Sequence, residues 1–473
     1  MRRQHLCGAA GRRVRALAAW AALVVAASAG FGTGVARADD APIHDPLDAM
    51  RVTRLDNGLT VLSLEDHSSP VASFQVWVEV GSSDEARYTG IAHLFEHLMF
   101  RGSKHLGKEV HSRIVEARGG RVNASTSQDV TRYFEDVPSE HLPLVIALEA
   151  ERFANLVIDD EALESEREVV ISERRWRNED DPGGRAFEQL MASAFKAHPY
   201  HHPVVGWLSD LQQVSVEQCR AFFDVYYAAN NLVIAVAGDF DTDQTLARIR
   251  DAFGGLRSAA EVPRNPTWEP PQRGERRADV LFDVAGPLLS MAWHAPPSGH
   301  ADSEALDVLT GVLSDGRASR LYRRMVHAED AVALGAQGVY WELDDAGLFY
   351  AGVEVRPGAS IDTAEALFLE EVERIRAEAP SEAEVDRARR SLEVGLIVGQ
   401  GSAHALAGRM GRDWVTFGRI RPLQERLARI RGVTPADVQR VAKKYLVPEG
   451  RTVVRVIAPP PAAAAGTTEG AGS

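Results

Sequence analysis

The stretch Gly90-Ile-Ala-His93-Leu-Phe-Glu96-His97-Leu-Met-Phe100 decides how the rest of this chain is read. It is made of good helix formers with few breakers, so a helix is expected here. Residues four apart stack on a helix, which puts His93 and His97 on one face. Glu96 stands one residue before His97 and three after His93. Its carboxylate therefore lies beside that face, within reach of a water held there, as a general base must. Leu94, Phe95, Leu98, Met99 and Phe100 give the three ionisable groups an apolar setting, which is costly unless they are partnered.

Two imidazoles on one helical turn suit a zinc ion. A catalytic zinc usually takes three protein donors and keeps one position open for water, so a further donor must come from elsewhere in the chain. Glu164-Ser-Glu166-Arg-Glu168-Val-Val-Ile-Ser-Glu173-Arg-Arg-Trp176 reads as another helix, on which Glu166 and Glu173, seven residues apart, share a face. Glu173 is the choice for the third donor, although on these residues alone an exposed helix carboxylate is the simpler reading. A His93, His97, Glu173 site would lower the pKa of water to about 7 and polarise a carbonyl.

Outward from the motif, 473 residues exceed what one hydrophobic core usually supports. Residues 259–278 are rich in proline and charge without sustained periodicity and read as a linker. It separates an N-terminal half, 39–258, which carries the motif, from a C-terminal half, 279–458, which has no second His-x-x-Glu-His. Both halves open on strand-like runs, Leu59–Leu64 and Val71–Val80, then Val280–Val284 and Leu288–Trp293. After helical stretches come Arg121–Thr126 and Thr131–Val137, matched by Ala333–Tyr340 and Gly347–Val355. Each half closes on an amphipathic helix, Val216–Tyr227 or Pro435–Tyr445, followed by a β-rich run, Leu232–Ala237 or Thr452–Ile457. This order predicts an α+β protein of two homologous α/β-sandwich domains related by internal duplication. The tail 459–473 is mostly Pro, Ala, Gly and Thr and is expected to be disordered.

Residues 1–38 read as a signal peptide. Arginines precede the apolar run Ala16–Gly30, and Ala36-Arg37-Ala38 suits cleavage after Ala38. The expected destination is the periplasm or the exterior; the route, general secretory or twin-arginine, stays open. Losing the six arginines of that segment, which holds no acidic residue, takes the formal charge from −14 to −20. So acidic a protein is a poor partner for nucleic acid or anionic lipid. Cys219 is the sole cysteine after Ala38, which excludes an intrachain disulfide. No later stretch is apolar for long enough to span a bilayer.

His93-Leu-Phe-Glu96-His97 is the inverted zincin motif, and the chain around it resembles the pitrilysin family of metallopeptidases. The resemblance runs through Leu55-Asp56-Asn57-Gly58-Leu59, Gly119 to Thr126, Asp129 to Tyr133, Glu166 to Glu173, Tyr226 to Asn231 and Gly238-Asp239, with Ala229 where proline is usual. It continues in Ser319 to Tyr322 and Val433 to Leu446, spanning nearly all of 50–460. The resemblance implies one zinc ion per chain, held by His93, His97 and Glu173, the last lying 76 residues beyond His97 (173 − 97). It implies Glu96 as the catalytic base, Glu166 as a carboxylate supporting the site, and Asn123 and Ala124 on an edge strand that pairs with the substrate backbone. Without it, Asn123 would read as a turn residue.

Active single-chain members carry an Arg and, seven residues later, a Tyr in the second domain. Counting from Ser319-Arg320-Leu321 puts Val326 and Ala333 there, while Arg323, Arg324 and Tyr340 do not fit the spacing. The resemblance thus implies the zinc-binding subunit of a two-subunit endopeptidase acting on peptides or small unfolded proteins. A homologous partner would supply Arg and Tyr in the heterodimer; a homodimer with another donor pair is the alternative assembly. The rival reading is a non-catalytic assembly or binding subunit on the same fold.

Overall fold

The computed structural model describes residues 43–460. The expected signal segment and all but the first two residues of the expected tail lie outside them.

Six strands form the first sheet: β1 (Arg51–Arg54), β2 (Thr60–Glu65), β3 (Val71–Val78), β4 (Arg121–Thr126), β5 (Thr131–Pro138) and β6 (Leu232–Gly238), in the order β1-β2-β6-β3-β5-β4. Five form the second: β7 (Arg276–Leu281), β8 (Leu288–Ala295), β9 (Ala333–Trp341), β10 (Gly347–Val355) and β11 (Arg451–Ile457), in the order β7-β11-β8-β10-β9. Without the edge strand β1 the two sheets share one topology. β2 runs parallel to β6 as β7 does to β11, and every other pairing is antiparallel. The protein is therefore α+β with an internal duplication.

β6, Leu-Val-Ile-Ala-Val-Ala-Gly, is buried along its whole length. A continuous apolar run marks a strand covered on both faces, and the covering is shared between the halves. One face of the first sheet packs on its own helices, with Phe74, Val76, Ile234 and Val236 against Leu94, Phe95 and Val145 in one core. The other face, with Leu62, Trp77 and Ala235, receives Leu406, Ala407 and Met410 of helix Ala403–Phe417 from the second half. Reciprocally, Leu190, Met191 and Ala194 of helix Pro182–Ala194 pack on Ala292, Leu348 and Val454 of the second sheet. Each half thus completes the other's core.

Two expectations are corrected. The run Val280–Val284 is displaced, because parallel pairing of Thr452 with Arg276 through Ile457 with Leu281 starts β7 four residues earlier. Residues 276–278 are consequently strand, not linker. β1 was not expected; Arg-Val-Thr-Arg has no core-facing pattern and is a strand because it pairs with β2. The remaining linker is irregular but held. The Glu269 carboxylate accepts the backbone N–H groups of Lys196, Ala197 and His198, and Arg264 donates to Asn231 Oδ1 at 2.6 Å. Among the described residues no helix is long and apolar enough to cross a membrane.

Candidate metal centre

The motif helix, Ile91–Leu98, follows Gly90, whose φ of 87° is left-handed. A Cβ there would meet Val205 O at 2.5 Å, so glycine is required. Such an N-cap offers no side chain, and the buried Glu85 carboxylate substitutes by accepting from Gly90 N and Ala92 N, both at 2.8 Å. The carboxylate helix, Asp160–Arg174, is capped by Asp159, which accepts from Ala162 N. It packs along the motif helix and runs into a π turn, Arg175–Glu179, that begins two residues after Glu173.

That packing brings His93, His97 and Glu173 together, with one donor atom from each within 4.8 Å of the other two. Glu173 Oε2 lies 3.3 Å from His97 Nε2 and 3.8 Å from His93 Nε2. Donors at zinc's bond lengths in a tetrahedron stand about 3.3–3.4 Å apart, and both Glu173 distances come within about half an ångström of that, so the donor set suits the ion. Burial opposes protonation of His97, but hydrogen bonds with Glu166 and Glu173 push its pKa up to about 9. Burial and the neighbouring His97 charge lower that of His93 to about 4. The hydrogen bond from His97, helped by the charges around it, lowers that of Glu173.

Glu166 does not join the three donors but stands behind them. Its Oε2 lies 3.2 Å from His97 Nδ1, and its Oε1 takes Arg101 Nε at 2.7 Å. With Nδ1 keeping its proton toward Glu166, His97 would give up only its Nε2 proton on binding a metal, and the freed lone pair would point toward Glu173 and His93. His93 Nδ1, by contrast, is buried without a hydrogen-bond partner among the described residues. Glu173 Oε1 is held by Arg177, one turn on, at 2.8 Å. Glu96 is largely buried, which raises its pKa, and its Oε2 accepts the Thr126 hydroxyl at 2.6 Å.

These groups line a pocket of about 820 Å³ together with Asn123, Ala124, Phe100, Phe187 and Met191. β4 is the outermost strand of its sheet and forms one wall, so Asn123 and Ala124 sit on a free edge; there Asn123 Oδ1 accepts from Ala124 N at 2.9 Å. All lining residues fall between His93 and Val205. The second half contributes none. Ala333 is buried at the start of β9, and the Tyr340 hydroxyl donates to Pro296 O at 2.9 Å. Arg323 and Arg324 face Glu384 and Asp330.

Reasoning from sequence missed Glu85, Arg101, Thr126 and Arg177. Two left a signal: Arg101 continues the 93, 97 spacing by one more turn, and Arg177 follows Glu173 by four. Glu85 and Thr126 act across elements and left none.

Residues 60–206 match the family described as Insulinase (Peptidase family M16), and residues 213–392 match Peptidase M16 inactive domain. Zinc protease PqqE of Helicobacter pylori is 29% identical over 405 residues, covering 85% of this chain and 91% of that protein. An uncharacterized zinc protease of Mycobacterium bovis is 31% identical over 417 residues, covering 85% and 92%. The crystal structure of a protease from Helicobacter pylori superposes with a TM-score of 0.83 at 28% identity, over 86% of this chain and 99% of that one. Motif, topology and likeness agree, and the chain belongs to peptidase family M16, the pitrilysin family.

Proposed function

We propose that this protein is the zinc-binding subunit of an exported endopeptidase that hydrolyses peptides or small unfolded proteins. The observation that carries the reading is the convergence of His93, His97 and Glu173 on one point, with Glu96 beside it in the same pocket. When bound, zinc supplies a Lewis acid that acidifies water and polarises the scissile carbonyl. His93, His97 and Glu173 would hold it, and Glu166 keeps His97 in the tautomer that can bind. Glu96 takes a proton from the attacking water as oxygen bonds to the carbonyl carbon, then returns it to the amine as the C–N bond breaks. The free edge of β4 aligns the substrate backbone by strand addition, which fits varied sequences.

A partner subunit is part of the proposal. The pocket takes nothing from the second half, and the positions where an Arg and a Tyr would stand hold Val326 and Ala333. A homologous chain supplying both donors would stabilise the oxyanion. The proposed site of action is the periplasm or the exterior of the cell, a reading supported by the signal-like residues 1–38.

The test is Glu96→Gln against His93→Ala, measuring zinc per chain and cleavage of a mixed peptide pool. Glu96→Gln should keep zinc and lose turnover; His93→Ala should lose both. Appreciable cleavage by Glu96→Gln overturns the assigned base. A zinc-free, inactive wild-type chain would instead assign the non-catalytic assembly role, and full activity of the chain alone would remove the partner.

A further inference from the structure

We infer that Thr126 is a positioning residue that fixes the Glu96 carboxylate and ties it to the strand that receives the substrate. The inference rests on the peptidase reading above. Thr126 ends β4, and its Oγ1 donates to Glu96 Oε2 at 2.6 Å. An ionised carboxylate can only accept, so the proton in this contact is the hydroxyl's. Among the described residues no other hydrogen bond reaches the Glu96 carboxylate, so Oε1 is not tied, and Glu96 lines the pocket.

The strand end that carries the hydroxyl is itself held. Thr126 pairs with Thr131 at the end of the β4–β5 ladder, and Thr131 Oγ1 stands 3.4 Å from Thr126 Oγ1 and 3.0 Å from Val80 O. Thr131 is fully buried and Val80 follows β3, so the anchor lies in the sheet interior. The turn beyond Thr126 is also fixed: Ser82 N donates to Ser127 O at 3.1 Å and Ser83 N to Gln128 O at 2.8 Å. Two residues toward the strand's start is Ala124, on the free edge. Glu96 stands on a helix and Ala124 on a strand, and a single hydroxyl joins these two separately built elements. A glutamate has three rotatable bonds, so without that hydroxyl the carboxylate would sample positions from which it misses the water.

The experiment compares Thr126→Val and Thr126→Ser in the assembly in which the protein is isolated, with zinc per chain, melting temperature, kcat and KM for one fluorogenic peptide. Valine keeps the shape and β-branching and removes only the hydroxyl; serine keeps the hydroxyl. Thr126→Val should lower kcat about 10- to 100-fold, with KM, zinc content and melting temperature unchanged. Thr126→Ser should recover most of the loss. A Thr126→Val protein with wild-type kcat overturns the inference, as does a loss that comes with lost zinc or that serine does not relieve. Glu96→Gln run beside them separates the two readings. If it is inactive while Thr126→Val is fully active, only the positioning role fails; if it still cleaves, Glu96 is not the base and the reading on which the positioning role rests fails first.

Discussion

Replacing Glu166 by alanine tests how much of the metal's affinity is built behind its ligands. The carboxylate faces two groups at once, His97 Nδ1 at 3.2 Å and Arg101 Nε at 2.7 Å. Arg101 is only 8% exposed, so truncation leaves a nearly buried guanidinium without its counter-charge and frees the imidazole to rotate or change tautomer. Losing the partner behind a metal-bound histidine typically costs 10- to 100-fold in affinity, about 1.4–2.7 kcal/mol. Glu166→Ala should therefore bind zinc about 10- to 100-fold more weakly than wild type in a chelator competition at fixed pH and salt. Glu166→Gln keeps an acceptor for Nδ1–H and loses only the charge, so its loss should be smaller. Circular dichroism of both variants separates lost affinity from lost fold. Zinc binding by Glu166→Ala within about twofold of wild type would refute the argument that Glu166 orients His97.

Two further predictions concern stability. Arg152 is buried between two buried carboxylates, with Nε 3.1 Å from Glu149 Oε2 and Nη2 3.3 Å from Glu135 Oε1. Arg152→Met strands both acids and should cost about 3–5 kcal/mol in urea unfolding; a change under about 1 kcal/mol would show that they do not need the cation. Glu384 accepts from Arg320 and from Ser381, and the Arg320 hydrogen bond, the largest influence, helps hold its pKa at about 2 against an ordinary 4.5. A depressed carboxylate pKa adds stability that is fully present above 4.5 and fades as pH falls toward 2. Glu384→Gln should flatten that part of the melting-temperature profile, and an unchanged acid limb would discount the pair.

The metal-binding motif was legible because its two histidines and the base share one helical turn, where sequence spacing is spatial spacing. The strand order of both halves was legible for a similar reason: buried strands such as Leu232–Gly238 announce themselves as apolar runs. What escaped depends on contacts between elements. Glu173, 76 residues from His97, did not escape, but it was named through the family resemblance: only the packing of two helices makes it a donor, and its own surroundings, Ser172 and Arg174, say nothing of a metal. Thr126 is one polar residue on an alternating edge strand, indistinguishable by pattern from Ser125 beside it. β1 has no apolar face and exists through its partner. The start of β7 was misplaced because Arg-Arg-Ala-Asp looks like loop until β11 pairs with it.

The duplicated halves also show why, among the described residues, the second does not repeat the site of the first. In the second half the helices in the positions of the motif and carboxylate helices are Ser303–Ser314 and Glu382–Val398, and they too pack together. Their contact is made by small residues: a Cβ on Gly311 would stand 2.7 Å from Ala388 Cβ. The buried face of the first of these helices is apolar, with Leu306, Leu309, Val312 and Leu313 fully enclosed. In the first half imidazoles and carboxylates meet between the two helices. In the second the contact at Gly311 leaves no room even for a Cβ, so a histidine grafted there would overlap helix Glu382–Val398 before it could hold an ion. The second half acts instead by covering Trp77 and Ala235 on the far face of the first sheet, so that β3 and β6 are held from both sides. A rigid sheet behind β4 and β5 is what lets an edge strand and a helix meet at Glu96 with hydrogen-bond accuracy.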